Sequence, residues 1–315
     1  MSFATVMLIA LALDAVLGWP DALFRRIGHP VTWIGQMIAA ADRRLNRAQD
    51  TPARRRALGL IAAIAIIALC AALGGSVQWI LPDSSLGTLV AGVLAWPLLA
   101  MRSLHDHVKA VATPLMAGDM AAARRAVSMI VGRDPAALEA GGIGGAAIES
   151  LAENTSDGVV APLVWGVVLG LPGIAAYKAI NTLDSMIGHR TARHAAFGWA
   201  AARIDDLANL VPARLTGLLF VLVSVHARRA WACMRQDASK HRSPNAGWPE
   251  AAMAGAIGVR LSGPRVYGGA SSPEPWLNAN AADPQPADLR RALSLFRRAM
   301  AAMACGLVLI MLVGG

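Results

Sequence analysis

The chain alternates between long apolar runs and segments dense in arginines and acids. The clearest apolar run covers residues 58–81, long enough for the ~20 residues that cross a bilayer as a helix. Pro82-Asp83-Ser84-Ser85 then makes a tight turn, and a second run over 86–101 completes a helical hairpin. A further run opens the chain at 3–18, and another closes it at 299–313. Two stretches are interrupted: 159–180 by Pro162, Pro172 and Gly173, and 207–225 by Pro212 and Arg214 near its start. Each either spans or forms a broken, half-buried helix, because irregular backbone at membrane depth survives only where protein or a wet cavity covers it. Residues 114–131 read as one helix, with Leu115, Met120, Ala123, Val127 and Ile130 near helical spacing. Residues 272–286, rich in Pro, Asn and Ala, read as a loop. The pattern predicts an all-α, polytopic membrane protein of about four to six membrane-embedded helices. Its residues 1–315 are expected to form a single domain with a polar, cytoplasm-facing active-site region.

Composition strengthens this reading. The chain is 56% hydrophobic and 16% charged, against about 45–50% and roughly 25% in soluble domains. The net charge of +9 comes almost wholly from arginine, the lysines being Lys109, Lys178 and Lys240. In a membrane protein such an excess marks cytoplasmic loops rather than nucleic-acid binding. Segment 21–57, with eight arginines, is therefore expected inside, as is 226–298. Two crossings between them in 159–225 would put Arg190, Arg193 and Arg203 outside. A membrane-embedded core with 181–206 on the cytoplasmic side is expected instead. Cys70, Cys233 and Cys305 are scattered and odd in number, which argues against a disulfide framework or a zinc site. The apolar N-terminus lacks a basic n-region, so it reads as a retained span. Asp14 within it should face protein rather than lipid.

Eight of the twenty acids fall between Arg133 and Asn209, among apolar stretches. Acids so placed are paired, metal-bound or lining a wet cavity. Glu149, Glu153 and Asp157 are spaced four apart and share a face if helical. Like charges at that spacing repel by about 0.2–0.5 kcal/mol per pair. A bridging cation removes the cost, and hard oxygen ligands suit Mg²⁺; a solvated helix face is the plainer alternative. Asn154 and Ser156 add polarity beside them. The glycine run Gly141-Gly142-Ile143-Gly144-Gly145 opens a helix, and either its amides bind phosphate or its glycines allow close packing. It is no Walker A loop, since no Gly-Lys-Ser/Thr follows.

Lys178, Asn181, Asp184 and Ser185 follow helical spacing. Lys178 pairs with a phosphate or an acid, or snorkels. His189, Arg190, Arg193 and His194 suit an anion-binding rim or lipid headgroups. Asp205, Asp206 and Asn209 suit Mg²⁺, unless Arg203 neutralises one of the acids. Arg214, after Pro212, calls for an anionic partner. His29 before Pro30 reads as structural, and His105 with His107 resembles half a metal site.

Taken in order, these residues resemble the CobD/CbiB family of cobalamin biosynthesis, the adenosylcobinamide-phosphate synthases. The likeness runs from Ala147-Ile148-Glu149-Ser150 through Glu153-Asn154, Asp157-Gly158-Val159 and Ala161-Pro162-Leu163. It continues through Tyr177-Lys178, Asn181-Thr182-Leu183-Asp184-Ser185-Met186 and Gly188. Phe197-Gly198, Ala202-Arg203, Asp205-Asp206, Asn209 and Pro212-Ala213-Arg214-Leu215 follow. Gly132-Arg133-Asp134, Leu13-Asp14, His29-Pro30-Val31 and Ile34-Gly35 also fit. So do Ser243-Pro244-Asn245-Ala246-Gly247-Trp248-Pro249-Glu250, Gly263-Pro264 and Tyr267-Gly268-Gly269. The chain departs from the family pattern at Trp19, at His189 and over 276–280.

The resemblance implies an ATP-dependent amide ligase of the bacterial inner membrane. It would join adenosylcobyric acid to (R)-1-amino-2-propanol O-2-phosphate, giving adenosylcobinamide phosphate, ADP and phosphate. Its cofactors would be ATP and Mg²⁺. On this reading Glu149, Glu153, Asp184 and Lys178 are catalytic. Glu149, Glu153, Asp157, Asp205 and Asp206 serve the metal. Arg133, Gly144, Gly145, Asn154, Asn181, Arg203 and Arg214 bind substrate or phosphate. Expected partners are the corrinoid, the aminopropanol phosphate, membrane lipid and other cobalamin-pathway enzymes, with no nucleic acid. The competing readings are a Mg²⁺-dependent intramembrane transferase and a corrinoid transporter. The first would show two matched Asp-rich motifs and the second inverted repeats, and neither feature stands in the sequence.

Overall fold

The computed structural model describes residues 1–132, 136, 138–267, 270–272 and 274–314. The chain forms two compact units, each built from separate stretches of sequence.

The first unit comprises Met1–Ala100, Ala161–Asn209 and Leu307–Gly315. It holds α1 (Phe3–Leu17), α2 (Asp21–Ile27), α3 (Pro30–Leu45), α4 (Pro52–Ile80) and α5 (Ser85–Ala95). Later in the chain it adds α9 (Ala161–Leu169), α10 (Leu171–Leu183) and α11 (Trp199–Ala208). Local chemistry sets several starts. His29 caps α3 by accepting from the Val31 N–H at 3.2 Å, while Thr32 bonds back to the His29 backbone. Thr51 caps α4, which has Pro52 in its first turn. The core joins Ile34 and Ile38 of α3 to Ala62, Ala63, Ile66 and Cys70 of α4, and these to Ala179 and Leu183 of α10. Small residues bring the backbones close: a Cβ at Gly59 would overlap the Phe197 carbonyl, and one at Gly74 would press on Leu171. Asp14 is buried, as its place in an apolar helix requires.

The second unit comprises Met101–Val160 and Leu210–Gly306. It contains α6 (Met101–Met116), α7 (Met120–Ser128), α8 (Ala140–Thr155), α12 (Leu210–Val223), α13 (Ala227–Asp237) and α14 (Gly247–Ile257). The long α15 (Pro286–Gly314) closes the chain. Two small antiparallel pairs accompany the helices. β1 (Leu261–Ser262) pairs with β4 (Trp276–Leu277), and β2 (Arg265–Tyr267) with β3 (Ala270–Ser272).

The fold is all-α, as the pattern predicts. Among the described residues, three helices are long and apolar enough to cross a membrane: Pro52–Ile80, Ser85–Met116 and Pro286–Gly314. The number rises to five if α1 with the following helix, and α11 with α12, each count as one bent span.

Three expectations are corrected. Residues 114–131 are not one helix: Pro114 lies in the last turn of α6, Gly118 takes φ +78°, and Asp119 caps α7 by accepting from Ala122 at 2.9 Å. The apolar spacing continued across the break because Leu115, Ala123 and Val127 are all buried. Residues 272–286 are not simply a loop, since β4 lies within them. The last helix starts at Pro286 rather than 299. Its first half is amphipathic, burying Leu289, Ala292, Leu295 and Phe296, so a search for continuous apolar sequence passes over it. Residues 159–180 take the broken form, one of the two expected for them, with the division at Gly170, where φ is +70°.

Placing a methyl group at Gly59 forces α4 away from the Phe197 carbonyl. Gly59→Ala should therefore destabilise the protein by about 1–3 kcal/mol, read as a lower melting temperature in detergent. Gly306→Ala, where nothing lies within 4 Å of the added atom, should not.

Candidate active site

In the first unit, the carboxylates and their cationic neighbours lie on α10, α11 and the turn between them. Lys178 is buried on α10, and Thr182 donates to its carbonyl at 2.6 Å. Tyr177, also buried, donates to Asn209 Oδ1 at 2.8 Å, and Asn209 Nδ2 donates to Asp205 Oδ2 at 3.0 Å. Asp205 is therefore fixed from within its own unit. Trp165 ties the end of α11 by donating to the Ala208 carbonyl at 3.1 Å.

Asp184 begins a π-helical turn, Asp184–Gly188. The absence of a side chain at Gly188 leaves room for the Asp184 carboxylate, which a Cβ there would strike. Burial raises the Asp184 pKa above the ordinary carboxylate value. The Asp206 charge adds to this, while His189 and Arg203 oppose it. Arg203 pairs with Asp206 at 3.0 Å, the neutralising role anticipated for it. Asn181, one turn before Ser185, accepts that hydroxyl on its carbonyl at 2.8 Å.

In the second unit, Glu149 and Glu153 lie on α8, and Asp157 lies in a second π turn, Ser156–Val160. π turns concentrate at functional sites, and both in this chain contain acids singled out from the sequence. Glu149 is buried and accepts the Ser262 backbone N–H at 2.7 Å. Glu153 and Asn154 are exposed, and Asp157 is half-buried. Asn154 donates to the Ser150 carbonyl at 2.9 Å, and Ser150 donates to the Ile130 carbonyl at 2.9 Å.

The other predicted residues sort as follows. Gly144 and Gly145 are buried in the second turn of α8, where added Cβ atoms would lie 3.5 and 3.6 Å from Pro284. A Cβ at that distance is in ordinary van der Waals contact, so packing alone does not demand glycine at either position. Arg214 has no anionic partner among the described contacts. It donates to the Leu210 carbonyl at 2.6 Å and stacks over the Trp248 ring at 4.5 Å, so a carbonyl and an aromatic face stand where an acid was expected. Arg133 lies outside the described residues. His105 and His107 bond locally, to Asp106 and to Ser103.

Sequence reasoning gave no chemical role to a buried polar group in the second unit. Glu250 and Glu274 are buried acids, with His241 at 3.7 Å from Glu250 and Arg242 at 3.2 Å from Glu274. Asp237 accepts from Lys240 at 2.6 Å and from the Asn278 N–H at 2.7 Å. Burial would raise its pKa, but these bonds hold it below the ordinary value; the Cys233 thiol is pushed up to about 12, first by its own burial and then by the Asp237 charge. Arg260 and Asp283 form a two-bond pair at 2.6 and 2.8 Å. The Asp237–Asn278 and Arg242–Glu274 contacts tie residues 259–283 to the end of α13 and the turn after it, and Arg260–Asp283 braces the stretch internally. The available sequence signal was acids and an Asn flanked by Gly and Pro. A cavity of about 200 Å³ beside Ser224, His226, Arg291 and Arg298 contains none of the predicted residues.

No group of three His, Cys, Asp or Glu side chains able to hold a metal occurs among the described residues. Mg²⁺ in phosphoryl-transfer sites is commonly held by one or two carboxylates plus substrate phosphates. The donor chemistry present, Asp184 beside Asp206 in one unit and Glu153 with Asp157 in the other, fits that mode.

A family profile described as CobD/Cbib protein matches residues 7–296. The chain is 62% identical over 304 residues to "Cobalamin biosynthesis protein CobD" of Rhodobacter capsulatus, covering 96% of both chains. Proteins of the same name from Brucella suis and Rhizobium meliloti are 46% and 47% identical, over 98% and 95% of this chain and 97% and 94% of theirs. No solved structure matches.

The raised pKa makes Asp184 a cost to folding. The folded state holds its proton above the ordinary carboxylate pKa, so stability falls as pH rises from that value through the folded one. Asp184→Asn should melt higher than the parent protein at neutral pH, with the difference shrinking toward pH 4. An equal or lower melting temperature at pH 7 would contradict this. Glu149→Ala strands the Ser262 amide and should cost about 1–3 kcal/mol of stability, whereas Glu149→Gln keeps an acceptor and should cost less.

Proposed function

Because this chain belongs to the CobD/CbiB family, a family of cobalamin biosynthesis, we propose that it is an adenosylcobinamide-phosphate synthase. On this reading it joins the carboxylate of adenosylcobyric acid to the amine of (R)-1-amino-2-propanol O-2-phosphate and converts ATP to ADP and phosphate. The carrying observation is the retention of buried charge. Glu149, Lys178 and Asp205 all lie inside the matched region, each less than a tenth exposed. Helical scaffolding alone needs no such groups, and they cost stability unless used.

The chemistry divides into two steps. A carboxylate oxygen of the corrinoid attacks the terminal phosphorus of ATP, and ADP departs with the electron pair of the broken P–O bond. The amine nitrogen then attacks the acyl carbon. The C–N bond forms, the C–O bond breaks with its electron pair leaving on phosphate, and the amine's proton passes to that departing phosphate. Bound ATP with Mg²⁺ supplies the phosphoryl group and screens its charge. Lys178 and Arg203 supply fixed positive charge for phosphate oxygens, with Arg133 and Arg214 as further candidates. In the first unit Asp184, Asp205 and Asp206 are the candidate oxygen ligands, and the second unit offers a set of its own in Glu153 and Asp157. Asn154 and Asn181 offer amides to substrate. Corrinoids are large and amphiphilic, which suits a protein of the inner membrane in contact with lipid and with neighbouring pathway enzymes.

The test uses the intact protein in detergent with adenosylcobyric acid, aminopropanol phosphate, Mg²⁺ and ATP. The corrinoid should gain the mass expected for amide formation, with one ADP released per amide. Lys178→Ala should lower kcat by about 100-fold or more, the usual effect of losing one preorganised charge contact. Folded protein that makes no amide with this or other amino alcohols would contradict the proposal.

A further inference from the structure

We propose that Ser262 and Glu149 form the subsite that receives the primary ammonium group of the amino-alcohol substrate. This deepens the ligase reading and rests on it. Three observations converge. Ser262 has φ +62°, a left-handed conformation rare for a residue with a side chain. Glycine would meet that backbone at lower cost, so the hydroxyl is carried at a strained position. Residues held this way cluster at ligand-binding positions.

The second observation is the hydroxyl itself. Ser262 is 8% exposed, and its Oγ has no hydrogen-bond partner among the described residues. A buried hydroxyl without a partner is a costly group that a ligand can satisfy. The third is its neighbour: the Ser262 N–H donates at 2.7 Å to the buried Glu149 carboxylate. The pair is held rigidly. Ser262 pairs with Trp276 across β1 and β4, and the Gly263 N–H donates to the Pro275 carbonyl at 3.2 Å. Gly263 also has positive φ, and a side chain there would strike the Trp276 ring.

The ligand chemistry follows from the atoms. A carboxylate beside a hydroxyl offers oxygen acceptors and negative charge. It suits a group with several N–H donors and positive charge, and disfavours a phosphate. Among the proposed substrates the ammonium of the amino alcohol meets both conditions, whereas the neutral amides of a corrinoid meet only the first.

The test compares Ser262→Ala and Ser262→Gly with the parent protein in detergent, measuring KM for each substrate and melting temperature. Both variants should raise the KM for aminopropanol phosphate by about tenfold or more, the effect of losing a hydrogen bond to a charged group. The KM values for corrinoid and ATP should stay within about twofold on the same argument. Ser262→Gly should melt at or above the parent temperature, because glycine relieves the strained φ. An unchanged amine KM in both variants, or a rise confined to the corrinoid, would overturn the assignment. If the parent protein makes no amide, the ligase reading fails, and calorimetric titration with aminopropanol phosphate decides the subsite alone. Weaker binding to Ser262→Ala than to the parent supports it; equal binding, or no binding to either, overturns it.

Discussion

The Glu149 carboxylate lies buried on α8 and accepts the Ser262 amide at 2.7 Å. A carboxylate taken out of water loses several kcal/mol of solvation unless hydrogen bonds or charges replace it. Much of the second unit can be understood through that compensation. The segment carrying Ser262 must be brought to α8 and kept there. Asp237 with Asn278, Arg260 with Asp283 and the β1–β4 pair perform that task. The first unit meets the same constraint differently. Asp205 is held on one oxygen through Asn209 and Tyr177, whereas at Asp184 burial and the Asp206 charge outweigh His189 and Arg203 and raise its pKa.

The acids differ in what they do for the fold. Asp237 has its pKa lowered by its partners and stabilises the fold. Asp184 has its pKa raised, so the fold tolerates it rather than gaining from it. Groups that proteins retain against stability are expected where chemistry is done. The π turns at 156–160 and 184–188 fit this pattern, since each interrupts a regular helix at a predicted acid. Membrane helices tolerate such irregularity only where protein or a polar cavity covers it.

Much of this was legible in the sequence because it depends on local pattern. Apolar length placed α4 and α15, and the four-residue spacing placed Glu149 and Glu153 on one helix. What escaped reading depends on contacts distant along the chain. The glycines at 144 and 145 suggested a phosphate loop, and the residue they face, Pro284, lies more than a hundred residues away. Arg214 asked for an acid and found the Trp248 ring. Helix breaks at Pro114 and Gly118 were hidden because the core they serve is continuous across them. The short strands that carry Ser262 are two residues long, too brief for any periodicity to declare.

The central claim is that the corrinoid carboxylate is activated by phosphoryl transfer before the amine attacks. Labelling both oxygens of that carboxylate with ¹⁸O and following the released phosphate by mass tests it directly. An acyl phosphate transfers one carboxylate oxygen to the departing phosphate, so each phosphate should carry a single ¹⁸O per amide formed. Amide formed with unlabelled phosphate, or with the label recovered in AMP, would contradict the account.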